Sequence, residues 1–321
     1  MTRVLLVDAV HPAGLARLRG EPGIELVELG EDRPEEIPRA LADAEAVIVR
    51  TAPLPAAAIA GAPKLRVVAK HGVGYDNIDV AAATARGIPV TVTTTANATS
   101  VAEFTLAQIL ALTKLSAAMD AAVRAGDWAA RNRLVPIELA GKTLAIVGFG
   151  RIGRRVASRA LAFEMRVLVH DPYVAAEAIR AAGCEPVERL EDALAAADVV
   201  TLHCPLTAET RGLIGRERLA RLPAGAFLVN TARGGIVDEA ALAEALRSGR
   251  LAGAALDVLV REPLPADDPL LGVPNLLLSP HVAGVTAESA RRMALEAAEN
   301  VLAGLAGRLP REVVVNPEVL P

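Results

Sequence analysis

Three residue types that together could do acid–base chemistry on an anionic substrate each stand just past a short apolar run in the second half of the chain. Arg233 lies in Thr231-Ala-Arg-Gly-Gly-Ile-Val-Asp-Glu239, Glu262 in Asp257-Val-Leu-Val-Arg-Glu-Pro263, and His281 in Ser279-Pro-His-Val-Ala-Gly284. An arginine is a fixed cation for a carboxylate, a histidine exchanges a proton near neutral pH, and a nearby carboxylate favours its imidazolium form. Singly each has a plainer reading: a surface ion-pair partner, a turn acid before Pro263, a hydrogen-bonded loop histidine. Together they supply a cation, a proton carrier and a tuning partner after successive strands, where open α/β sheets bind ligands.

A cofactor signal precedes them. Leu144-Ala-Ile-Val-Gly148-Phe-Gly150-Arg-Ile-Gly153 places G-x-G-x-x-G directly after an apolar strand and at the start of a helical pattern. In that context Gly148 permits the tight turn, Gly150 lets the backbone approach a pyrophosphate, and Gly153 allows close helix–strand packing. The helix N-terminus adds N–H donors and the positive dipole end, and Arg151 adds a charged contact. Asp171 stands eighteen residues beyond Gly153 at the end of the next strand. A carboxylate there accepts from the adenosine ribose hydroxyls and repels a 2′-phosphate, which selects NAD over NADP. The plain alternative for Asp171 is a turn started with Pro172.

Elements of two series must position these residues. The first series reads as strands over residues 4–7, 25–29, 46–49, 66–69 and 90–92, and the second over 143–147, 166–169, 199–202, 227–230, 253–257 and 276–278, with Ala-rich helical patterns between most of them. The fold class is therefore α/β, with two doubly wound parallel-sheet domains; six strands is the count of a complete Rossmann dinucleotide-binding sheet. One long helix is expected from Ser100 to about Ala125, capped by Ser100 with Glu103 at the capping-box position, and another from about Ala287 to Ala303. Val313 to Val315 reads as a short strand or extended tail. If that tail packs on the first domain, residues 1–99 and 287–321 form a discontinuous substrate domain and residues 100–286 the NAD-binding domain.

Composition narrows the partners. A chain of 321 residues has room for two cores, and with 2% aromatic residues those cores are built from Ala, Val, Leu and Ile. With 34 basic and 38 acidic residues, the net charge of -4 argues against nucleic acid or an acidic membrane surface as a general partner. Asp8 interrupts the first apolar run, so no signal peptide is expected, and the longest stretch without Asp, Glu, Lys or Arg, Pro269 to Ala287, is broken by prolines. Cys184 and Cys204 read as free thiols of a cytoplasmic protein. No metal is expected.

The chain resembles the D-2-hydroxyacid dehydrogenase family, which includes phosphoglycerate, glycerate and D-lactate dehydrogenases. The glycine loop and the A-R-G-G-x-x-V-D-E, D-V-x-x-x-E-P and S-P-H-x-A-G segments occur in the family's order and approximate spacing over essentially the whole chain. The resemblance implies a smaller flavodoxin-like substrate domain beside the Rossmann domain, with the active site in the cleft between them. It also implies reversible hydride transfer between NADH and a small 2-oxo acid. In that scheme Arg233 orients the substrate, protonated His281 gives the carbonyl oxygen its proton, and Glu262 holds His281. Asp257 is placed at the nicotinamide side, and Ile152, His203, Pro205, Thr210, Thr231 and Gly284 around the cofactor. His203 reads equally well as structural.

In Lys70-His71-Gly72-Val73-Gly74-Tyr75-Asp76, Val73 and Gly74 resemble the family's backbone donors to the substrate carboxylate. Arg50 and Lys70 read equally as cations for a second anionic group or as solvated rim charges. Two cations fit 3-phosphoglycerate or another doubly anionic hydroxy acid; glycerate, hydroxypyruvate or lactate needs one. By resemblance, a homodimer forms through residues 100–125 and the Trp128 segment, although Trp128 has the plainer reading of covering its own helix. No C-terminal regulatory module is expected. The competing function is a non-catalytic NAD-sensing binding protein of the same fold; a formate- or phosphite-type enzyme ranks lower, because Glu262 is not the usual partner in the formate branch.

Overall fold

In the computed structural model, which describes residues 1–30 and 33–321, the chain divides into two compact units, Met1–Asn97 with Val285–Pro321, and Ala98–Gly284. The first unit holds β1 (Thr2–Val7), β2 (Ile24–Leu29), β3 (Ala46–Val49), β4 (Val67–Lys70) and β5 (Val90–Thr91). They pair in the order β2-β1-β3-β4-β5, parallel throughout, which is the flavodoxin-like order. Every residue of β3 and β4 is buried, because helices cover both faces of a parallel sheet and the strands read as continuous apolar runs. The tail closes this unit. After a 3₁₀ turn at Arg311–Val313, Val314 bridges Thr91 antiparallel, with Val92 N donating to Val313 O at 2.9 Å and Val315 N to Val90 O at 2.8 Å.

The second unit holds β6 (Thr143–Val147), β7 (Arg166–His170), β8 (Glu185–Pro186), β9 (Val199–Leu202), β10 (Ala226–Asn230), β11 (Leu251–Leu256) and β12 (Leu276–Leu278). Their order is β12-β11-β10-β9-β6-β7-β8, again all parallel. This is the six-stranded dinucleotide-binding order with β12 added at one edge. The six strands expected from sequence therefore included the edge addition and omitted β8, whose two residues, one a proline, pair only with Leu168 and Val169. So short a strand has no periodicity to read. The order in which strands are added reverses between β6 and β9, and the loops leaving those strands flank the crevice where such sheets take ligands.

The single helix expected from Ser100 to Ala125 is two helices, Ala98–Thr113 and Ser116–Arg124. Ser100 is buried inside the first turn, past the N-cap position, so the expected capping box with Glu103 does not start this helix. The break has a local cause. Ile137 N donates to Thr113 O at 3.0 Å, Lys114 Nζ donates to Ile137 O at 2.6 Å, and Leu115 takes a left-handed φ of 55°. The carbonyl that a continuing helix needs is thereby taken by a distant segment. The later helix runs Ala287–Leu305, started by a reciprocal Thr286–Ser289 cap. Among the described residues no single helix is long and apolar enough to cross a membrane.

Candidate active site

Strand β6 ends at Gly148, whose φ is 97° and whose N–H donates to His170 O at 2.9 Å. A Cβ on Gly148 would lie 2.7 Å from Cys204 N and from His203 C, so only glycine lets the exits of β6 and β9 touch. A Cβ on Gly153 would lie 2.2 Å from Gly148 O, whereas one on Gly150 would meet nothing within 4 Å. Gly150 therefore opens space at the start of helix Arg151–Ala162, in keeping with a backbone that a ligand approaches. On this helix Arg154 N donates to Gly150 O at 3.1 Å, while the N–H groups of Arg151, Ile152 and Gly153 make no hydrogen bond among the described residues. Three free donors at a positive dipole end, with open space before them, fit the pyrophosphate of a dinucleotide.

Asp171 is tied into the same loop. Its Oδ2 accepts from Phe149 N at 2.6 Å and its Oδ1 from Tyr173 N at 2.9 Å. Beyond the ribose role read from sequence, this carboxylate fixes the glycine loop, and an ionised carboxylate keeps lone pairs for further donors. On the facing loop, His203 has its Nδ1 buried, and its Nε2 shares a 3.0 Å hydrogen bond with the Thr201 hydroxyl. Burial pushes its pKa down to about 3, so the ring is neutral and is no proton donor near pH 7. Burial likewise pushes the Cys204 thiol up to about 11, which leaves it protonated. Pro205 O accepts from the Thr210 hydroxyl at 2.6 Å, closing the loop. Thr231 is buried, its hydroxyl 2.9 Å from that of Thr105. Thr105, an ordinary helix threonine in sequence, ties helix Ala98–Thr113 to the end of β10.

The three reactive candidates converge at the ends of β10, β11 and β12. His281 Nδ1 lies 2.7 Å from Glu262 Oε2, and Glu262 Oε1 accepts from Leu259 N at 2.8 Å. Burial raises the Glu262 pKa, but the hydrogen bond from His281, the Leu259 N–H and the charges of His281 and Arg233 outweigh it, and the carboxyl is held below its usual range. Glu262 is thus ionised near neutral pH. The side chains of His281 and Glu262 are 51% and 37% exposed, which leaves the distal ring nitrogen open to a substrate. Arg233 sits on a turn built by Asn230, which donates from Nδ2 to Arg233 O at 2.8 Å and accepts from Ala232 N at 3.0 Å. Asn230 was invisible as a site residue in sequence. Gly234 allows the Arg233 loop to meet the Glu262 loop, since a Cβ there would lie 1.9 Å from Leu259 O.

Asp257 directly follows β11. Its carboxylate is only 2% exposed and accepts from the Ser279 hydroxyl at 2.6 Å, Val282 N at 3.0 Å and Ala283 N at 2.8 Å. Its carbonyl accepts from His281 N at 2.8 Å. The residue builds the turn that carries His281, whose φ of 54° is a left-handed conformation costing a non-glycine residue about 1–3 kcal/mol. Gly284 ends this turn and the second unit.

The first unit repeats the device at β1. Asp8, with φ of 75°, is buried and accepts on Oδ2 from the N–H groups of Arg50, Thr51 and Ala52 at 3.0, 2.6 and 3.0 Å. In sequence Asp8 shows only as the end of an apolar run, and its partners lie more than forty residues on. Lys70 is 8% exposed, and its ammonium donates to Arg50 O and to Asn77 Oδ1, the latter at 2.7 Å. It clamps the loops after β3 and β4 and does not stand on a solvated rim. His71 beside it is buried, and desolvation, with Arg50 and Lys70 adding to it, lowers its pKa to about 4. Gly72 has φ of 136° and its N–H donates to the Thr93 hydroxyl at 3.0 Å. The next N–H groups, of Val73 and Gly74, make no hydrogen bond among the described residues.

Comparison with known proteins bears on the family and the fold. Residues 106–283 match the family described as D-isomer specific 2-hydroxyacid dehydrogenase, NAD binding domain. The chain is 42% identical over 325 residues to D-3-phosphoglycerate dehydrogenase of Mycobacterium leprae, covering 99% of this chain and 61% of that one. It therefore spans about three-fifths of that relative's length. It is 41% identical to glyoxylate reductase of Korarchaeum cryptofilum, covering 99% of this chain and 97% of the relative. A crystal structure of a protein from Thermus thermophilus superposes with a TM-score of 0.88 at 40% identity, covering 98% of this chain and 100% of that one.

Proposed function

The chain belongs to the D-isomer specific 2-hydroxyacid dehydrogenase family, and from that premise we propose that it is an NAD-dependent oxidoreductase interconverting a small 2-hydroxy acid and its 2-oxo acid. The observation that carries this is the 2.7 Å His281–Glu262 pair held on a strained turn after β12, with Arg233 near enough to act on the same carboxylate. Such an outlier persists only where surrounding structure enforces it. The nicotinamide, when bound, supplies or accepts the hydride. In reduction, protonated His281 gives the carbonyl oxygen its proton while Glu262 favours the imidazolium; in oxidation, neutral His281 takes the proton back. Arg233 orients the substrate's anionic end.

The unengaged N–H groups of Val73 and Gly74 suit a substrate carboxylate, and Arg50 suits a further anionic group. The substrate class is accordingly phosphoglycerate-type or glycerate/hydroxypyruvate-type. The names of the Mycobacterium and Korarchaeum relatives fit that range. We place the acid–base role on His281, Glu262 and Arg233, the substrate role in the first unit, and the NAD role in the second.

The pair makes a signed prediction. Replacing Glu262 by Gln keeps a hydrogen-bond partner at 2.7 Å from the ring but removes the negative charge that favours the imidazolium. Reduction needs protonated His281, so the high-pH limb of the kcat profile moves to lower pH. A shift to higher pH contradicts the pairing. For the cofactor, steady-state kinetics with NADH and NADPH should give the higher kcat/KM with NADH, since Asp171 stands at the ribose position; a preference for NADPH removes that role.

A homodimer completes the reading. Helix Ser116–Arg124 has no buried residue, and Val123, Trp128 and Val135 are exposed, Trp128 by 68%. An exposed Trp with two valines on one stretch of chain suits burial against a second copy. Light scattering at micromolar concentration should give twice the chain mass; a monomer removes the proposal.

A further inference from the structure

An exposed tyrosine joins two loops at the ribose end of the glycine loop. Tyr173 is 82% exposed, yet both its ends are held: its N–H donates to Asp171 Oδ1 at 2.9 Å, and its hydroxyl donates to Glu209 Oε2 at 3.0 Å. Glu209 stands on a fixed turn. Its N–H and that of Thr210 donate to the Thr207 hydroxyl at 3.2 and 3.3 Å, and the Thr210 hydroxyl donates to Pro205 O. Two carboxylates on separate loops, Asp171 after β7 and Glu209 after β9, thus lie one tyrosine apart. Both act on the Tyr173 phenol, whose pKa is raised first by the Glu209 hydrogen bond and charge, then by burial and by Asp171.

Asp171 alone is a muted charge. Both its oxygens already accept from backbone N–H groups, Phe149 at 2.6 Å and Tyr173 at 2.9 Å, and these donors offset part of its field. Glu209 has no guanidinium or ammonium beside it in any ion pair among the described residues. Resting on the reading of this crevice as a dinucleotide site, we propose that Glu209 is a second cofactor-selecting carboxylate, held by the Tyr173 hydroxyl beside Asp171 so that a 2′-phosphate on the adenosine ribose meets two negative charges. Removing one exposed charge a few ångströms from a phosphate changes binding about fivefold at low salt, and reversing it about 25-fold, since the interaction is close to 1 kcal/mol per charge pair in water.

The test is a titration of the full chain with NADH and with NADPH, followed by nicotinamide fluorescence, for wild type, E209Q, E209K, Y173F and D171N. At about 0.05 M salt the ratio of the NADPH Kd to the NADH Kd falls about fivefold in E209Q and about 25-fold in E209K, with Y173F between wild type and E209Q. At about 1 M salt, where the screening length is ~3 Å, the E209Q and E209K effects shrink below about twofold. A wild-type ratio in both Glu209 variants, while D171N lowers it, overturns the inference and leaves the site reading standing. A Glu209 effect undiminished at high salt also overturns it, because a displaced loop and not a charge is then responsible. Failure of wild type to bind either nucleotide removes the dinucleotide site and this inference with it.

Discussion

Replacing His281 by Ala should lower kcat by roughly a hundred- to ten-thousand-fold, the usual worth of a positioned acid–base group, while leaving NADH affinity nearly unchanged. The asymmetry follows from where the histidine stands. It is on the turn after β12 with Glu262 at 2.7 Å, and the glycine loop, Asp171 and the free N–H groups of the helix N-terminus lie on other loops. Measurement is by turnover on whichever 2-oxo acid the wild type reduces best, together with a fluorescence titration of NADH. A variant that retains near-normal kcat would leave the chain a nucleotide-binding protein with no assigned acid.

Replacing Asp257 by Ala should cost both stability and turnover. Three donors lose a buried acceptor: the Ser279 hydroxyl and the N–H groups of Val282 and Ala283. A buried donor left without its acceptor costs about 1–3 kcal/mol, so three of them, partly rehydrated, make a net loss of about 4 kcal/mol. For a unit of this size that lowers Tm by roughly 8–16 °C. The left-handed turn at His281 then loses its scaffold, and a displacement of about 1 Å is enough to cost on the order of a hundredfold in kcat. Asp257→Asn does not rescue, because an amide presents a donor where Val282 or Ala283 presents one. Calorimetry and turnover check this together: a variant that melts with the wild type and turns over within threefold of it shows that Asp257 does not hold the turn.

These two residues mark the boundary of what the sequence discloses. Strands such as Ala46–Val49 and Thr143–Val147 are legible because a parallel strand buried on both faces is a continuous apolar run. Arg233, Glu262 and His281 are legible because they follow such runs at the carboxyl edge of one sheet. What stays hidden depends on partners distant in sequence. The break at Leu115 is set by Ile137, the Arg50 loop by Asp8, and the burial of Lys70 by Arg50 O and Asn77. Asp257 announces itself as a strand-end acid, but its three donors lie beyond the next strand. Thr105 and Asn230 carry no local signal, since a threonine in a helix and an asparagine at a strand end are ordinary residues until their partners are known.

Hydride transfer to a 2-oxo acid is measured by mixing the full chain with NADH and a panel comprising glyoxylate, hydroxypyruvate, pyruvate and 3-phosphohydroxypyruvate, following loss of reduced nicotinamide absorbance and assaying the product. At least one member should oxidise NADH with formation of an equal amount of the D-2-hydroxy acid, or of achiral glycolate from glyoxylate. NADH that binds and is oxidised by none of the panel across the neutral pH range would contradict it and leave a binding protein in place of an enzyme.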